Sequence, residues 1–187
     1  IRQKMVGISL VSKETDWVLF LDDDLLLGKE ALYNATKYLE AEVSQRNVVG
    51  IGLNLKSTSR LNSKSSFSKF IARKFLLDSK FLGNVLRSGH PVEYLSSTVE
   101  TTTEWLIGSS LWRKDMLAHY SIDFLEARYS ALEDVIFSYR CKNYGNLVYL
   151  PNCKIYFQSN STTKETSEVF IAASFWRYYF FGINRSE

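Results

Sequence analysis

The sequence predicts an α/β fold organised on a mostly parallel sheet, and three observations carry that expectation. Trp17-Val18-Leu19-Phe20-Leu21 is an apolar run that stops at Asp22, Asp23 and Asp24, as in a strand buried on both faces with acids at its carboxyl end. Lys29 to Arg46 then places Leu32, Ala35, Leu39 and Val43 on one face of a helix of ordinary length. Val48-Val49-Gly50-Ile51-Gly52-Leu53 follows as a second short buried strand. Strand, helix, strand implies parallel strands joined by a right-handed crossover.

Composition bounds the rest. A chain of 187 residues with 45% hydrophobic and 14% aromatic residues is enough for one domain with its own core. A net charge of +3, dispersed along the chain, argues against a nucleic-acid binder. Cys141 and Cys153 have neither the count nor the spacing of a zinc site or a disulfide framework, which suits a reducing, cytoplasmic setting. No apolar run approaches the ~20 residues needed to span a bilayer. The sequence begins at Ile1 without an initiator Met, so a piece of something longer is expected.

Each element has a local reason. Ile1 to Glu14 spaces Met5, Ile8, Leu10 and Val11 as an amphipathic helix leading into the first strand. Three adjacent carboxylates repel one another, so Asp22, Asp23 and Asp24 suggest a divalent cation or a ring of donors among them. Asp24 is too far ahead of Lys29 to cap the helix. Lys56 to Ser66, rich in Ser, Thr, Lys, Arg and Asn, reads as a mobile loop. Phe67 to Phe81 returns to a helical pattern, and Asn84 to Glu104 reads as edge strand and loop.

Two further stretches carry chemistry. Trp105-Leu106-Ile107-Gly108-Ser109-Ser110 reads as a strand meeting a small-residue turn, followed by Arg113 and Lys114 at a helix start. The turn either offers backbone N–H groups to an anion or sugar or serves geometry alone, and Trp105 is either core or a platform for a sugar ring. Glu133 and Asp134 open an amphipathic helix that Gly145 closes as a C′ residue. Ser130 and Glu133 match a capping box, which leaves Asp134 without a structural duty. The helix dipole would lower the pKa of Asp134, and an apolar pocket would raise it again.

Leu19-Phe20-Leu21-Asp22-Asp23-Asp24, Trp105-Leu106-Ile107-Gly108 with Arg113, Asp123-Phe124-Leu125-Glu126, Leu132-Glu133-Asp134-Val135 with Gly145, and Val148-Tyr149-Leu150-Pro151 resemble, in order and spacing, glycosyltransferase family 2. Within it the chain looks most like the bacterial rhamnosyl- and galactofuranosyl-transferase type. The resemblance implies a Rossmann-like GT-A sandwich that spans residues 1–187 as a single partial catalytic domain and lacks the first nucleotide-binding βα units. It implies inverting transfer of a sugar from a nucleotide-diphosphate sugar to a hydroxyl of a glycan or lipid-linked acceptor in polysaccharide biosynthesis. Asp22 and Asp24 would form the DxD motif and hold Mg²⁺ or Mn²⁺, with Gln158 as a weak third ligand where relatives often place a His. Asp22, Asp23, Trp105, Gly108 and Arg113 would line the donor and acceptor pocket. Asp134, paired with Glu133, would take the proton from the acceptor.

The tail from residue 160 to 187 is rich in Phe, Trp and Tyr. It is expected to be a helix packed on the domain, with peripheral contact at the inner face of a membrane as the alternative. Asn34-Ala35-Thr36 and Asn160-Ser161-Thr162 match glycosylation sequons, which carry no weight without a secretory signal. Two other functions compete. A phosphatase-type domain also sets an Asp after a buried strand, but it wants Thr or Val where this chain has Leu26. A binding domain or catalytically inactive remnant of the same fold is the stronger alternative.

Overall fold

The computed structural model describes residues 2–56, 79, 81–120 and 132–158, with 174, 175, 177, 178, 180 and 182. The expected loop after Lys56, nearly all of the helix 67–81, the segment Asp123–Glu126, Ser130 and the Asn160 sequon lie outside the described residues. Helix α1 (Arg2–Ser9) leads to strand β1 (Trp17–Leu19) and, past the acids, to β2 (Leu25–Leu27). Helix α2 (Ala31–Arg46) precedes β3 (Val48–Lys56). Strands β4 (Thr101–Thr103) and β5 (Ser110–Arg113), a 3-10 turn (Lys114–His119), helix α3 (Glu133–Cys141) and the long strand β6 (Asn146–Phe157) complete the order.

The six strands form one mixed sheet in the order β1-β5-β3-β6-β2, with β4 also on β6. The expectation of a mostly parallel sheet is corrected here, because only the β3–β6 pair is parallel. The reason is an insertion. β1 and β3 do run in the same direction, as strand-helix-strand requires, but β5 lies between them antiparallel to both. Likewise β2, an apolar triplet that the sequence did not mark as a strand, pairs antiparallel with the far half of β6.

Two apolar clusters hold the sheet. Ala35 of α2 with Leu25, Val48, Ile51, Leu53, Val148 and Ile155 makes one, and α2 turns Leu39 and Val43 onto it while Leu32 stays exposed. Trp112, Tyr94, Leu106, Phe137, Tyr149 and their neighbours make the other. Gly50 and Gly52 leave room on β3 for the second cluster: a Cβ on Gly50 would stand 2.8 Å from the Trp112 ring, and one on Gly52 would stand 2.8 Å from Leu106.

Helix ends differ from the sequence expectation. Asn47, at φ 45°, is the left-handed cap that ends α2, a conformation Asn tolerates well, and its Nδ2 donates to the Tyr144 carbonyl. Gly145 is not the αL residue closing α3; it is small because a Cβ there would lie 2.3 Å from the Asn47 carbonyl oxygen. The described residues of the tail from 174 to 182 are helical, and Phe180 is buried with its ring 4.8 Å from Tyr139 of α3. Phe175 and Tyr178 are exposed. No helix among the described residues is long and apolar enough to cross a membrane.

Candidate active site

The acids follow β1 where the chain leaves the sheet. Phe20 N–H still donates to the Ser110 carbonyl, and Asp22 N–H donates to Ser109 Oγ. Ser109, 1% exposed, returns its hydroxyl to Asp22 Oδ2 at 2.8 Å. This reciprocal pair fixes one carboxylate against the Gly108-Ser109 turn, 87 residues away in sequence. Asp23 is exposed, and water can screen the repulsion that three adjacent anions would otherwise create. Asp24 is half-buried, and its carbonyl accepts the Gln158 N–H at 2.8 Å, so the two residues meet where β2 begins and β6 ends.

These oxygen donors suit a hard cation such as Mg²⁺ or Mn²⁺. Asp24 and Gln158 are joined by that backbone hydrogen bond, and Asp22 is oriented by Ser109. Among the described residues no group of three or more His, Cys, Asp or Glu side chains converges on one point.

The turn from Trp105 to Ser109 is not a strand. The chain there is irregular, and the strand β5 starts only at Ser110. Its backbone is satisfied by side chains: Leu106 N–H donates to Ser138 Oγ and Ile107 N–H to the Tyr94 hydroxyl. Trp105 spends its indole N–H on the Val92 carbonyl and packs edge-on against Tyr94 at 5.0 Å, so it anchors this segment to the core. Gly108 faces the acids, since a Cβ there would be 3.9 Å from Asp22 Oδ2 and 3.4 Å from Lys4 Nζ.

Helix α3 opens on strained backbone. Leu132 sits at φ 70°, a conformation that costs a residue with a Cβ about 1 kcal/mol, and the two acids that follow fall in the first turn. The capping-box role of Glu133 is corrected: it is the first residue of the helix, and its Oε1 accepts from Lys4 Nζ at 2.9 Å. Asp134 Oδ1 accepts the Val135 N–H, while its carbonyl accepts the Ser138 hydroxyl at 2.6 Å. Ser138 thus ties the Leu106 backbone to the Asp134 backbone. Burial pushes the Asp134 carboxyl up to about 6, against the opposing pull of the Val135 N–H and Lys4. Desolvation therefore outweighs the helix-end donors.

Three stretches far apart in sequence therefore meet: Asp22, the Gly108-Ser109 turn and the Glu133-Asp134 pair. Lys4 of α1 lies among them, its Nζ 5.7 Å from the Phe20 ring centre. Lys4, Phe20, Gly108, Tyr120, Asp134 and Phe137 enclose a cavity of about 10 Å³, room for roughly one water. The Tyr120 hydroxyl is buried beside Glu133, and burial, then Glu133, push its pKa upward.

Arg113 is not brought to this cluster. Its partner across β1 is Trp17, at the end of the strand remote from the acids, and its guanidinium forms a two-pronged pair with Asp115 and a bond to Asn47. Sequence reasoning missed Lys4, Ser109, Tyr120 and Ser138. Lys4 stood only as one cation on an amphipathic helix, and the pairing across 129 residues leaves no local trace. A comparison with protein-family models matches none, and a comparison with curated proteins also finds no match.

Proposed function

We propose that the chain carries the acid cluster of a metal-dependent inverting glycosyltransferase of the family 2 type, acting at the cytoplasmic face of a membrane or in the cytoplasm. The observation that supports this reading is the meeting of Asp22, Gly108-Ser109 and Asp134, the three motifs of the resemblance, with the Asp134 carboxylate half-buried against aromatic rings and Asp22 and Asp23 exposed. Asp22, Asp24 and Gln158 would hold Mg²⁺ or Mn²⁺ beside a nucleotide-diphosphate sugar. Bound there, the ion would offset charge growing on the diphosphate as it leaves.

The chain's own residues do the rest. Asp134, with a pKa near 6, is charged at neutral pH yet basic enough to take the proton of an attacking hydroxyl. Ser138 and Val135 N–H fix its place on α3, and Ser109 orients Asp22. Gly108 keeps the surface between them open. Trp105 shapes the wall from behind, and Arg113 is engaged by Asp115 and Asn47.

A second reading is a binding domain of the same fold without turnover. It is favoured by the Lys4–Glu133 pair and by the cavity beside Asp134, which holds about one water and no sugar hydroxyl with its carbon. Calorimetry of the full-length protein with nucleotide sugars and Mn²⁺ separates the readings. The transferase reading expects binding that Asp24→Ala abolishes and Asp134→Asn leaves intact. Binding unchanged in Asp24→Ala would sink the metal assignment, and metal-dependent binding with no transfer to any glycan acceptor would favour the second reading.

A further inference from the structure

A larger cavity opens where β3 and β6 lose register. Leu53 pairs with Leu150, but Asn54 pairs with Lys154, so Pro151, Asn152 and Cys153 have no partner on β3. Extra residues of this kind bend a strand and re-aim its side chains. Beside the bulge lies a cavity of about 440 Å³ whose wall includes Asn54, Leu95, Ser96, Thr98, Pro151 and Asn152. It shares no residue with the cavity beside Asp134.

Asn54 sets the chemistry of this wall. It is 2% exposed, and its Nδ2 donates to the Pro151 carbonyl at 2.6 Å, which fixes the orientation of the amide. The Oδ1 is then a buried acceptor with no hydrogen-bond partner among the described residues. Such an atom calls for a donor. The one carboxylate in the wall cannot provide it, since Glu93 accepts from both the backbone N–H and the hydroxyl of Ser96. Lys56 and Glu93 are one charge of each sign, so the wall selects neither an anion nor a cation.

The remaining lining alternates hydroxyl and amide groups with the apolar faces of Leu55, Leu95 and Pro151. A pyranose presents the complementary pattern, a rim of hydroxyl donors around C–H faces, and it fits a cavity of this size. We infer that this cavity is a carbohydrate-binding subsite, separate from the acid cluster, in which Asn54 Oδ1 accepts a hydrogen bond from a sugar hydroxyl. The bulge at Pro151–Cys153 makes the space, and the carboxyl end of β3 supplies the acceptor. This inference stands on the cavity and on Asn54 and needs neither the metal nor transfer.

The test is an NMR titration of the ¹⁵N-labelled full chain, without nucleotide or metal, using methyl α-D-glucopyranoside, methyl α-L-rhamnopyranoside and N-acetyl-D-glucosamine. At least one sugar should shift the Asn54 side-chain amide together with the Ser96, Thr98 and Asn152 amides. Thr98→Trp, which fills the cavity from an exposed position, should weaken that binding about tenfold or more. Asn54→Leu should do the same, and Asn152→Ala provides a milder variant should Asn54→Leu fail to fold. Asp134→Asn should bind as the wild type does. No shift with any of the three sugars, shifts confined to Gly108 and Glu133, or the same shifts with inorganic phosphate would overturn the inference. Failure of nucleotide sugars to bind at the acid cluster would leave it standing.

Discussion

The two carboxylate groups of the site use the same side-chain chemistry in opposite surroundings. Asp22 to Asp24 lie where a strand leaves the sheet, with Asp22 and Asp23 exposed and the backbone turned so that Leu25 N–H bonds the Asp22 carbonyl. Asp134 sits in the first turn of α3, walled by Phe20, Leu106 and Phe137. Burial moves its pKa to about 6 despite the local donors. Adjacency in sequence therefore says little about which carboxylate is costly to ionise. Water decides it: the acids packed closest together are the ones that water reaches, and the acid with an altered proton affinity is the one set against aromatic rings.

The largest expected effect tests that difference directly. Asp134→Asn should lower transfer by about 10²- to 10⁴-fold while leaving donor binding unchanged, measured by single-turnover assay and calorimetry. Stability should move the other way. The folded pKa of Asp134 is raised above its ordinary value of 3.8, so the folded state binds this proton more tightly than the unfolded one. Its contribution is most favourable below about pH 4 and is lost as pH rises through about 6. Asn removes that cost, so the variant should be more stable at pH 7 by on the order of 1–3 kcal/mol in urea, with the gain vanishing near pH 4. No stability difference at pH 7 would mean that the carboxyl is not desolvated.

Ser138→Ala should come next. The Ser138 hydroxyl is fully buried; it accepts from Leu106 N–H and donates to the Asp134 carbonyl. Removing it strands a buried N–H, with a loss of about 1–3 kcal/mol in urea unfolding. Because the same bond ties the Trp105–Ser109 segment to α3, the Gly108 and Ser109 amides should shift in NMR spectra while those of Asp24 and Gln158 stay in place. Shifts spread equally over both groups would show that the acids after β1 and the acid on α3 are one unit.

The unequal legibility of these parts has a physical basis. The apolar runs at Trp17–Leu21 and Val48–Leu53 did mark strands, but burial on both faces holds for β3 alone: β1 covers only Trp17–Leu19, stands at the end of the strand order and is half-buried, and Leu21 is exposed, while Ala35, Leu39 and Val43 gave the inner face of α2. Direction was legible too, since β1 and β3 do run in the same direction. Neighbours were not. Nothing local to Ser110–Arg113 says that it will insert between β1 and β3, because the pairing of Leu19 with Leu111 is settled by contacts 92 residues apart (111 − 19). The same limit hid the hydroxyls: Ser109 and Ser138 look like any turn or helix serine until the partner arrives from elsewhere. Arg113 shows the same limit, since nothing local to the turn says that its guanidinium will pair with Asp115 two residues on.

A smaller effect is expected from Lys4→Met. The pair with Glu133 is partly exposed, so its loss should change stability by less than about 1 kcal/mol. Its electrostatic effect should be clearer. Lys4 lowers the Asp134 pKa, so the variant should titrate above about 6. A base works when deprotonated, which moves the acidic limb of any rate profile to higher pH. Carboxyl ¹³C NMR of Asp134 reads the same shift without an assay. A downward shift would mean that losing Lys4 opens the cavity to water.

The smallest effect is the sharpest control on the contrast. Asp23 lies between two acids given roles, is exposed, and carries no hydrogen bond or ion pair among the described residues. Asp23→Asn should leave unfolding within about 0.5 kcal/mol of the wild type at every pH from 4 to 8. If the three acids are separate and solvated, nucleotide-sugar binding with Mn²⁺ should also be unchanged within about twofold, whereas Asp24→Ala abolishes it. If instead Asp23→Asn behaves like Asp24→Ala, the three carboxylates share one ion. The loop would then have to close on ligand, because Asp23 now faces solvent while Asp22 is held by Ser109 and Asp24 sits beside Gln158. That outcome would turn the exposed group from a set of independent side chains into a site assembled by its own cation, and only Asp134 would remain pre-formed.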